Sequence, residues 1–446
     1  MQARKKVDVL ISGNGPAALA VAWEAMCLGL AVLMISHRED AYLRVQRIHL
    51  AVVYRKYLLR MLSKNSILNQ ADDKFISELI LNMTLTIKDI ERYMRRRLEE
   101  LNQENQLIEF LYHSRLDVVN CEQGIATVIN LVDSDLELIE VEYEFLIGAD
   151  GASHHAANVF NQCATKETIS YISVKSPGHR YHGNFYITIK RQDGGILNIP
   201  DESHMMGIQS LVYGDQPLDV LYYLMFNPSS HHRSQMKSVK CNFISELPRP
   251  LYKLIKSHNI IAESVMLMYL KKIISNLFKD KELNNGELII SIVKPSQKHG
   301  VQKDKLKFVA FKTGMLEANK AAVKEGNTYF VVLGDAFRTP EYHVGHGLND
   351  ALWQASNIND IFSNKGSDSS LNYFSLLCKR SLDPYRDAIE VLIHNKQGFL
   401  KIVKINAAEQ KKFLRKAELI TFFAKQREKE QVPTQQPANE IRNHYL

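Results

Sequence analysis

The sequence predicts an α/β protein with a Rossmann-like domain, an antiparallel-sheet domain inserted into it, and a helical C-terminus. Three observations favour this fold class. A strand–helix–strand pattern opens the chain, and a β-rich segment with turn residues follows between 171 and 310. After it, "TYFVVLGDA" contains another continuous apolar strand like those of the opening pattern. The 446 residues are enough for two domains, or for one large domain with an insertion.

The opening pattern consists of two apolar strands, "VDVLISG" and "AVLMIS", around an alanine-rich helix at 16–30. Continuous apolar strands are typical of a parallel sheet that is covered on both faces. Residues 86–103 predict a further helix, with Thr86 as its N-cap and a basic outer face. Another apolar strand, in "EYEFLIGADGAS", completes this part of the sheet.

The β-rich segment starts with "NFYITIKRQDGGILNIP", which predicts two strands around a turn at Asp193, Gly194 and Gly195. The runs "HMMGIQSLVYG", "DVLYYLMFNP" and "ELIISIV" predict three more strands, and 247–283 predicts helices. These changes in predicted secondary structure along the chain predict five segments. Residues 1–170 and 311–365 are two parts of one domain, 171–310 is the inserted domain, 366–430 are C-terminal helices, and 431–446 is a disordered tail.

Composition is ordinary for a globular protein, at 45% hydrophobic and 24% charged residues. No apolar run reaches the ~18 residues of a membrane helix, and the basic start has no signal-peptide core. We therefore expect no transmembrane segment. The scattered cysteines form no CxxC pair, which argues against a zinc site or a disulfide framework and favours a reducing compartment, such as the cytoplasm. They are Cys27, Cys121, Cys163, Cys241 and Cys378.

The net charge of +7 is concentrated near the C-terminus, because 401–431 holds nine Lys or Arg and four Glu, a net +5. That distribution does not favour a nucleic-acid surface. The segment predicts a helix with a solvated basic face that packs as a brace, or a surface that docks a partner or an anionic membrane.

The first motif of chemical interest is a GxGxxA turn between the opening strand and helix. Its residues are Gly13, Gly15 and Ala18, with Pro16 and Ala17 between them. Such glycines let the backbone approach a pyrophosphate, and the helix start offers free N–H groups to it. The following strand ends in Ser36 where a ribose-binding acid is usual, and Glu39 or Asp40 is a candidate to compensate.

Two further motifs each place an acid after an apolar strand. Asp150 and Gly151 end "FLIGADG", and "LGDAFRTPEYHVGHGLNDA" holds Asp335 ahead of a proline and a Gly-His-Gly turn. Each alone is a strand followed by a turn. Their joint occurrence, in this order after a GxGxxA turn, is far more specific.

In these three motifs the chain resembles the FAD-dependent monooxygenases of the aromatic-hydroxylase type, which have a glutathione-reductase-like FAD fold. The resemblance covers residues 6–360. Two segments are most similar to the flavin monooxygenase domain of the actin-oxidising MICAL proteins: "LGLAVLMISHREDAYLRVQRIHL" and "FKTGMLEANKAAVKEGNTYFVVLGDAFRTPEYHVGHG". The resemblance implies an FAD-binding domain and an inserted substrate domain.

It also implies cofactor contacts. The GxGxxA residues contact the FAD pyrophosphate, Arg38 and Arg44 or Arg47 supply cationic donors, and Asp335 accepts a hydrogen bond from a ribityl hydroxyl. Asp150 and Gly151 serve both FAD and the nicotinamide donor. The resemblance also implies Pro340, Gly345 and Gly347 as cofactor-binding residues of the last turn. At the helix start it implies Leu348 and Asn349, whose backbone N–H groups face the flavin.

The function implied is a monooxygenase that uses FAD, NADPH or NADH, and oxygen on an aromatic small molecule or a protein side chain. Tyr342 and His343 fall beside the flavin and are predicted substrate contacts; a packed tyrosine and a solvated histidine are the alternatives. The chain departs from the family at "GDAFR" and at His154 and His155, and adjacent histidines do not predict a metal site. A reductase or oxidase on this fold, or an interaction module without turnover, remains open.

Overall fold

The computed structural model describes residues 4–38, 47–62, 70–80, 85–132, 135–166, 168–174, 180–197, 204–213, 215–226, 237–257, 260–278, 288–292, 308–364 and 367–404. The strands, in chain order, are β1 (Lys5–Lys6), β2 (Val9–Ser12), β3 (Val32–Ser36), β4 (Arg47–Ile48), β5 (Leu85–Thr86), β6 (Ile108–Tyr112), β7 (Ser114–Asn120), β8 (Ile125–Val132), β9 (Asp135–Glu142), β10 (Phe145–Gly148), β11 (Tyr171–Ser173), β12 (Arg180–Arg191), β13 (His204–Tyr213), β14 (Gln216–Phe226), β15 (Ser238–Glu246), β16 (Leu288–Ile292), β17 (Phe308–Thr313), β18 (Leu316–Ala318), β19 (Ala322–Glu325) and β20 (Thr328–Val332).

The helices are α1 (Pro16–Cys27), α2 (Val52–Arg60), α3 (Gln70–Ile80), α4 (Ile87–Asn105), α5 (His155–Cys163), α6 (Arg249–Lys256), α7 (Ile260–Phe278), α8 (Gly347–Ser356), α9 (Asn359–Ser363), α10 (Asp368–Arg380), α11 (Arg386–His394) and α12 (396–404). The described chain forms two compact units. Unit 1 takes its residues from Met1–Lys175 and Met315–Asp387, and unit 2 takes them from Ser176–Gly314 and Ala388–Lys404.

Unit 1 is built on a six-stranded sheet in the order β19-β20-β10-β2-β3-β6. All neighbours are parallel except β19 and β20. The strands β2, β3, β10 and β20 are buried along their whole length, as continuous apolar strands predict. A second sheet, β1-β9-β8-β7, is mainly antiparallel. The Rossmann-like part of the predicted fold is confirmed.

Helix α4 confirms one local prediction and contradicts another. The Thr86 hydroxyl accepts the N–H of Asp89 at 3.0 Å, so Thr86 is the N-cap. The predicted basic outer face is wrong, because Arg97 is 1% exposed. The carboxylate of Asp72, fully buried in α3, binds the guanidinium groups of both Arg96 and Arg97. A buried carboxylate on a neighbouring helix thus draws these arginines inward.

Unit 2 contains an antiparallel sheet in the order β13-β14-β15-β12-β16, and β17 also pairs with β12. Helices α6 and α7 pack against it, and Phe185, Phe243 and Leu270 are in the core they share. The predicted hairpin after β12 is wrong within the described residues. Asp193 and Gly194 do form a turn, but β15 on one side and β16 on the other already pair with the end of β12, and β17 pairs with its start.

The structure joins Cys121 and Cys163 in a disulfide across a sequence separation of 42 residues. The expectation that no cysteines pair is therefore wrong. The fold brings the turn after β7 next to the end of α5, a proximity that cysteine spacing does not show. Among the described helices, none is both long and apolar enough to cross a membrane. The basic segment beyond residue 404 and the predicted tail at 431–446 lie outside the described residues.

Candidate functional site

The three sequence motifs meet at one edge of the unit 1 sheet. They follow β2, β10 and β20, which are adjacent parallel strands in register at Ser12, Gly148 and Val332. Backbone hydrogen bonds continue past the strand ends: the N–H of Ala149 donates to the Ser12 carbonyl at 2.9 Å, and that of Leu333 to the Gly148 carbonyl at 3.0 Å. Ligands of open α/β sheets bind outside these carboxyl ends.

Gly13 and Gly15 in the first motif have different roles. Gly13 has φ +132°, and a methyl group on it would lie 2.2 Å from the carbonyl oxygen of Ala149. Only glycine therefore lets the first loop pass so close to the second. A methyl group on Gly15 would meet no described atom within 4 Å, although Gly15 is the N-cap of α1. The space next to Gly15, at the start of α1, is therefore free of described atoms.

The start of α1 suits an anion. Pro16 is the first helical residue, no side chain of the described chain caps the helix, and its first turn has no acidic residue. Its first N–H groups are therefore available to a ligand, and the helix dipole favours negative charge there. Ala17 and Ala18 are buried and let α1 pack closely; a methyl group on Gly334 would lie 3.0 Å from the Ala17 methyl.

The second motif presents a carboxylate with one unpaired oxygen. Oδ2 of Asp150 accepts the N–H of Ala156 at 2.7 Å, near the start of α5. Its Oδ1 is buried and has no hydrogen-bond partner among the described residues. Burial raises the pKa of Asp150. Gly151 has φ +74° and open space at its Cβ position. An orphaned buried oxygen beside an open glycine is a hydrogen-bonding site for a ligand.

The two histidines after the second motif are bound to the protein backbone. His154 Nδ1 donates to the Ala336 carbonyl at 3.2 Å, and its ring lies 4.0 Å from that of Tyr171, whose hydroxyl donates to the same carbonyl at 2.7 Å. His155 Nε2 donates to the Leu116 carbonyl at 2.7 Å. The histidines therefore join the second and third motifs and fix β7 to α5.

The third motif brings Asp335, Pro340 and Gly347 together. A methyl group on Gly347 would lie 2.8 Å from Pro340 Cγ and 3.8 Å from Asp335 Oδ1. Asp335 is half-buried and lies in a short turn directly after β20. Gly345 has φ +65° and open space at its Cβ position. The carboxylate of Asp335 is thus close to the start of α8.

In the described part of the chain, no side chain caps the start of helix α8. The side chain of Asn349 is used elsewhere: its amide donates to the His49 carbonyl at 3.1 Å and accepts the N–H of Ala51 at 3.0 Å. Asn349 therefore holds the segment between β4 and α2 against the helix. The backbone N–H groups at the helix start, which include that of Leu348, are the groups that can serve a ligand.

The residues predicted after the second strand are only partly described. Ser36 is buried, and its hydroxyl accepts the backbone N–H of Arg38 at 3.1 Å. Arg38 is exposed. Arg47 lies in β4, where only its backbone is described. Glu39, Asp40 and Arg44 lie outside the described residues. The ribose-binding group at this end of the site stays a prediction.

Tyr342 and His343 form a short 3₁₀ turn with Val344. His343 is only 4% exposed, so the alternative of a solvated histidine is wrong. The side chain of Tyr342 is outside what the structure describes. Both stay predicted substrate contacts.

Sequence reasoning missed the role of Arg338, which had been grouped with the residues that depart from the family. Its guanidinium is 1% exposed and donates five hydrogen bonds within unit 1. Two of its acceptors are Glu317 and Asp350, which are distant in sequence, so spacing alone does not reveal them. Arg338 thus connects the third motif to α8 through buried hydrogen bonds.

These residues fit an FAD molecule on two structural grounds. The space in front of Gly15 is a cradle that any side chain would fill, at an uncapped helix start that suits a pyrophosphate. At the same sheet edge, the buried Oδ1 of Asp150 has no hydrogen-bond donor among the described residues and can accept a hydrogen bond from a ligand. A dinucleotide supplies both the anion and the hydroxyl groups.

No known protein-family model matches the chain, and no curated protein matches it in sequence. Solved structures do match. The anhydrotetracycline hydroxylase OxyS from Streptomyces rimosus has a TM-score of 0.55 at 14% identity, over 92% of this chain and 75% of its own. The p-nitrophenol 4-monooxygenase PnpA from Pseudomonas putida DLL-E4 has a TM-score of 0.56 at 10% identity, over 94% and 98%.

A third similar structure is the myxobacterial chondrochloren halogenase CndH, described as a variant of FAD-dependent halogenases. Its TM-score is 0.55 at 13% identity, over 87% of this chain and 82% of its own. At such identities the likeness shows the fold. The chain has the fold of these hydroxylases and FAD-dependent halogenases: a Rossmann-like domain, an inserted antiparallel-sheet domain and C-terminal helices. The predicted fold class is confirmed.

Proposed function

We propose that the protein is an FAD-dependent monooxygenase that uses a nicotinamide donor and molecular oxygen on an aromatic small molecule. The observation that carries the proposal is the convergence of three glycine-containing loops, two of which carry an acid, on adjacent parallel strands, around open space at a helix start that no described side chain caps. Two enzymes with this fold are named for aromatic substrates, anhydrotetracycline and p-nitrophenol, which supports the substrate class.

In this proposal Gly13, Gly15 and the start of α1 hold the pyrophosphate, and Asp335 holds the ribityl chain. Oδ1 of Asp150 accepts a hydrogen bond from a ribose hydroxyl. When bound, FAD supplies hydride acceptance and the activation of oxygen. The N–H groups at the start of α8 stabilise negative charge on the reduced isoalloxazine ring. Tyr342 and His343 contact the substrate. A protein side chain as substrate is the alternative.

The first test is whether the protein purified from a flavin-replete host is yellow and releases FAD on denaturation. A colourless protein that takes up no added FAD refutes the proposal. The second test is NADPH and NADH oxidation, followed in air and under argon, with a panel of phenols and polycyclic aromatics. Oxygen-dependent oxidation with a hydroxylated product supports a monooxygenase. Oxidation that yields only peroxide identifies an oxidase, and oxidation under argon with an artificial acceptor identifies a reductase.

A further inference from the structure

Arg338 is the centre of a buried charge cluster that reaches from the third motif to α8. Its Nε donates to Glu317 at 2.7 Å and its Nη1 to Asp350 at 2.9 Å. Its Nη2 donates to the carbonyls of Cys378 and Lys379, both at 3.1 Å. The side chains of Arg338 and Asp350 are 0% and 4% exposed. Solvent therefore screens this pair little.

Asp350 is a notable partner because of its place in α8. It is the fourth residue of the helix, about 4.5 Å along the axis from Gly347 at a rise of 1.5 Å per residue. Its own N–H already donates to the His346 carbonyl at 2.8 Å. A carboxylate this close to a helix start offsets the positive end of the dipole. Arg338 supplies the charge that compensates it.

The same cluster extends back to the residue before Asp335. Asp350 Oδ1 accepts from Gln354 Nε2 at 2.9 Å, and Gln354 Oε1 accepts the N–H of Gly334 at 2.7 Å. The Ser381 hydroxyl also donates to Asp350. One chain of hydrogen bonds thus links Arg338, Asp350 and the turn that carries Asp335.

The field of Arg338 also reaches the Gly-His-Gly turn. His346 is fully buried, its ring lies 5.3 Å from that of Tyr385, and neither ring nitrogen has a partner in the described chain. Burial and the charge of Arg338 lower the pKa of His346 to about 3. The imidazole is therefore neutral near pH 7. The charged groups that remain around this helix start are Arg338, Asp350 and Glu317, with Asp335 beside Gly347.

We propose that Arg338 is a positioning residue that compensates Asp350 at the start of α8, and that this charge balance sets the reduction potential of the bound flavin. The inference rests on the proposed function, since it requires FAD with its isoalloxazine ring at this helix start. Reduced flavin is anionic, so a more negative helix start disfavours reduction and a more positive one favours it.

The test is the midpoint potential of bound FAD in Arg338→Met, Asp350→Asn and the double variant. Arg338→Met leaves Asp350 uncompensated, and we expect the reduced form to be disfavoured at least tenfold, a fall of about 30 mV for a two-electron couple. Asp350→Asn removes a negative charge from the helix start while Arg338 stays paired with Glu317, and it raises the potential by a similar amount. The double variant returns toward wild type.

Arg338→Lys is the matched control, since it keeps the charge but loses the forked geometry; its potential stays near wild type even if its stability falls. Potentials are measured at pH 7 and 9, because a buried carboxylate without its cation takes up a proton more readily at the lower pH. The Arg338→Met shift is therefore larger at pH 9.

Opposite signs for the two single variants support the inference, because a merely structural role lowers stability in both without opposing potentials. Shifts of the same sign, or none in either, overturn it. If Arg338→Met fails to fold, Asp350→Asn still decides, because the side chains are isosteric and only a raised potential agrees with the inference. A wild-type protein that binds no FAD instead refutes the proposed function, and flavin bound with unaltered potentials refutes this inference alone.

Discussion

Two substitutions, Gly13→Ala and Gly15→Ala, separate the two roles of the GxGxxA turn: close packing against the second loop, and space for the proposed pyrophosphate. A methyl group on Gly13 collides with the Ala149 carbonyl at 2.2 Å, in a backbone with φ +132°. Backbone strain costs about 1–3 kcal/mol and overpacking another 1–3 kcal/mol. We expect Gly13→Ala to lose about 2–6 kcal/mol, a large part of the 5–15 kcal/mol typical of a folded domain.

Gly15→Ala meets no such obstacle, since its φ is −81° and its Cβ position is open. The lower entropy of unfolded alanine gains about 0.4–1 kcal/mol, and the poorer N-cap loses a similar amount. We expect the stability of the flavin-free protein to stay within about 1 kcal/mol of wild type. The methyl group occupies the proposed pyrophosphate path, so FAD affinity falls at least tenfold, or about 1.4 kcal/mol.

The assays are urea denaturation of the flavin-free proteins and titration of FAD by its fluorescence. If Gly15→Ala binds FAD as tightly as wild type, the pyrophosphate does not lie in front of Gly15. If Gly13→Ala unfolds at the wild-type urea concentration, the close approach of the two loops is not a constraint on the sequence.

Three further predictions concern single side chains. Asp335→Ala lowers FAD affinity at least tenfold in the same titration, because a hydrogen bond to a charged group contributes about 1.5–3 kcal/mol. Asp72→Ala leaves partly exposed Arg96 without its carboxylate and leaves buried Arg97 with Glu100 alone, and it costs about 3 kcal/mol in urea denaturation. His346→Leu makes the free energy of unfolding less dependent on pH below about pH 6.5. Because the folded pKa of His346 is lowered to about 3, below its unfolded value of about 6.5, stability is lost as pH falls through this window, by up to about 1.4 kcal/mol per pH unit.

Each of these has an exposed counterpart as a control: Asp360→Ala, Asp73→Ala and His394→Leu, all at exposed positions. The controls should leave FAD affinity, the urea midpoint and the pH slope close to wild type. Equal effects of Asp72→Ala and Asp73→Ala would show that the buried ion pairs contribute little. A pH slope unchanged by His346→Leu would show that the ring is solvated or paired. Undiminished FAD binding by Asp335→Ala would remove that residue from the site.

The sequence predicts those parts of the fold that depend on local constraints. The GxGxxA turn and the Thr86 cap could be assigned because a tight turn and a helix start impose residue types on a few consecutive positions. The sheet edge on which the motifs converge follows from parallel strands. These are the features that the structure confirms in register and in hydrogen bonds.

What sequence reasoning missed depends on partners that are distant in the chain. Nothing near Arg97 indicates that Asp72 buries it, and nothing near Arg338 indicates Glu317 or Asp350. The same holds for Cys121 and Cys163. Spacing cannot show that β12 finds its partners in β15, β16 and β17 instead of in a hairpin. Charged residues in particular were assigned to the surface by default, since an unpaired buried charge is too costly.

The pairing of β10 with β20 has a consequence for synthesis of the chain. Gly148 and Val332 are register partners in the central sheet, yet about 180 residues separate them. At roughly 5–20 residues per second, translation takes about 10–40 s to cover that distance. For that interval β10 presents an unpaired, fully apolar edge, while the strands of unit 2 emerge consecutively and can pair with one another. The nascent chain is thus most exposed to aggregation, and most in need of a chaperone, through the edge that later carries the candidate site.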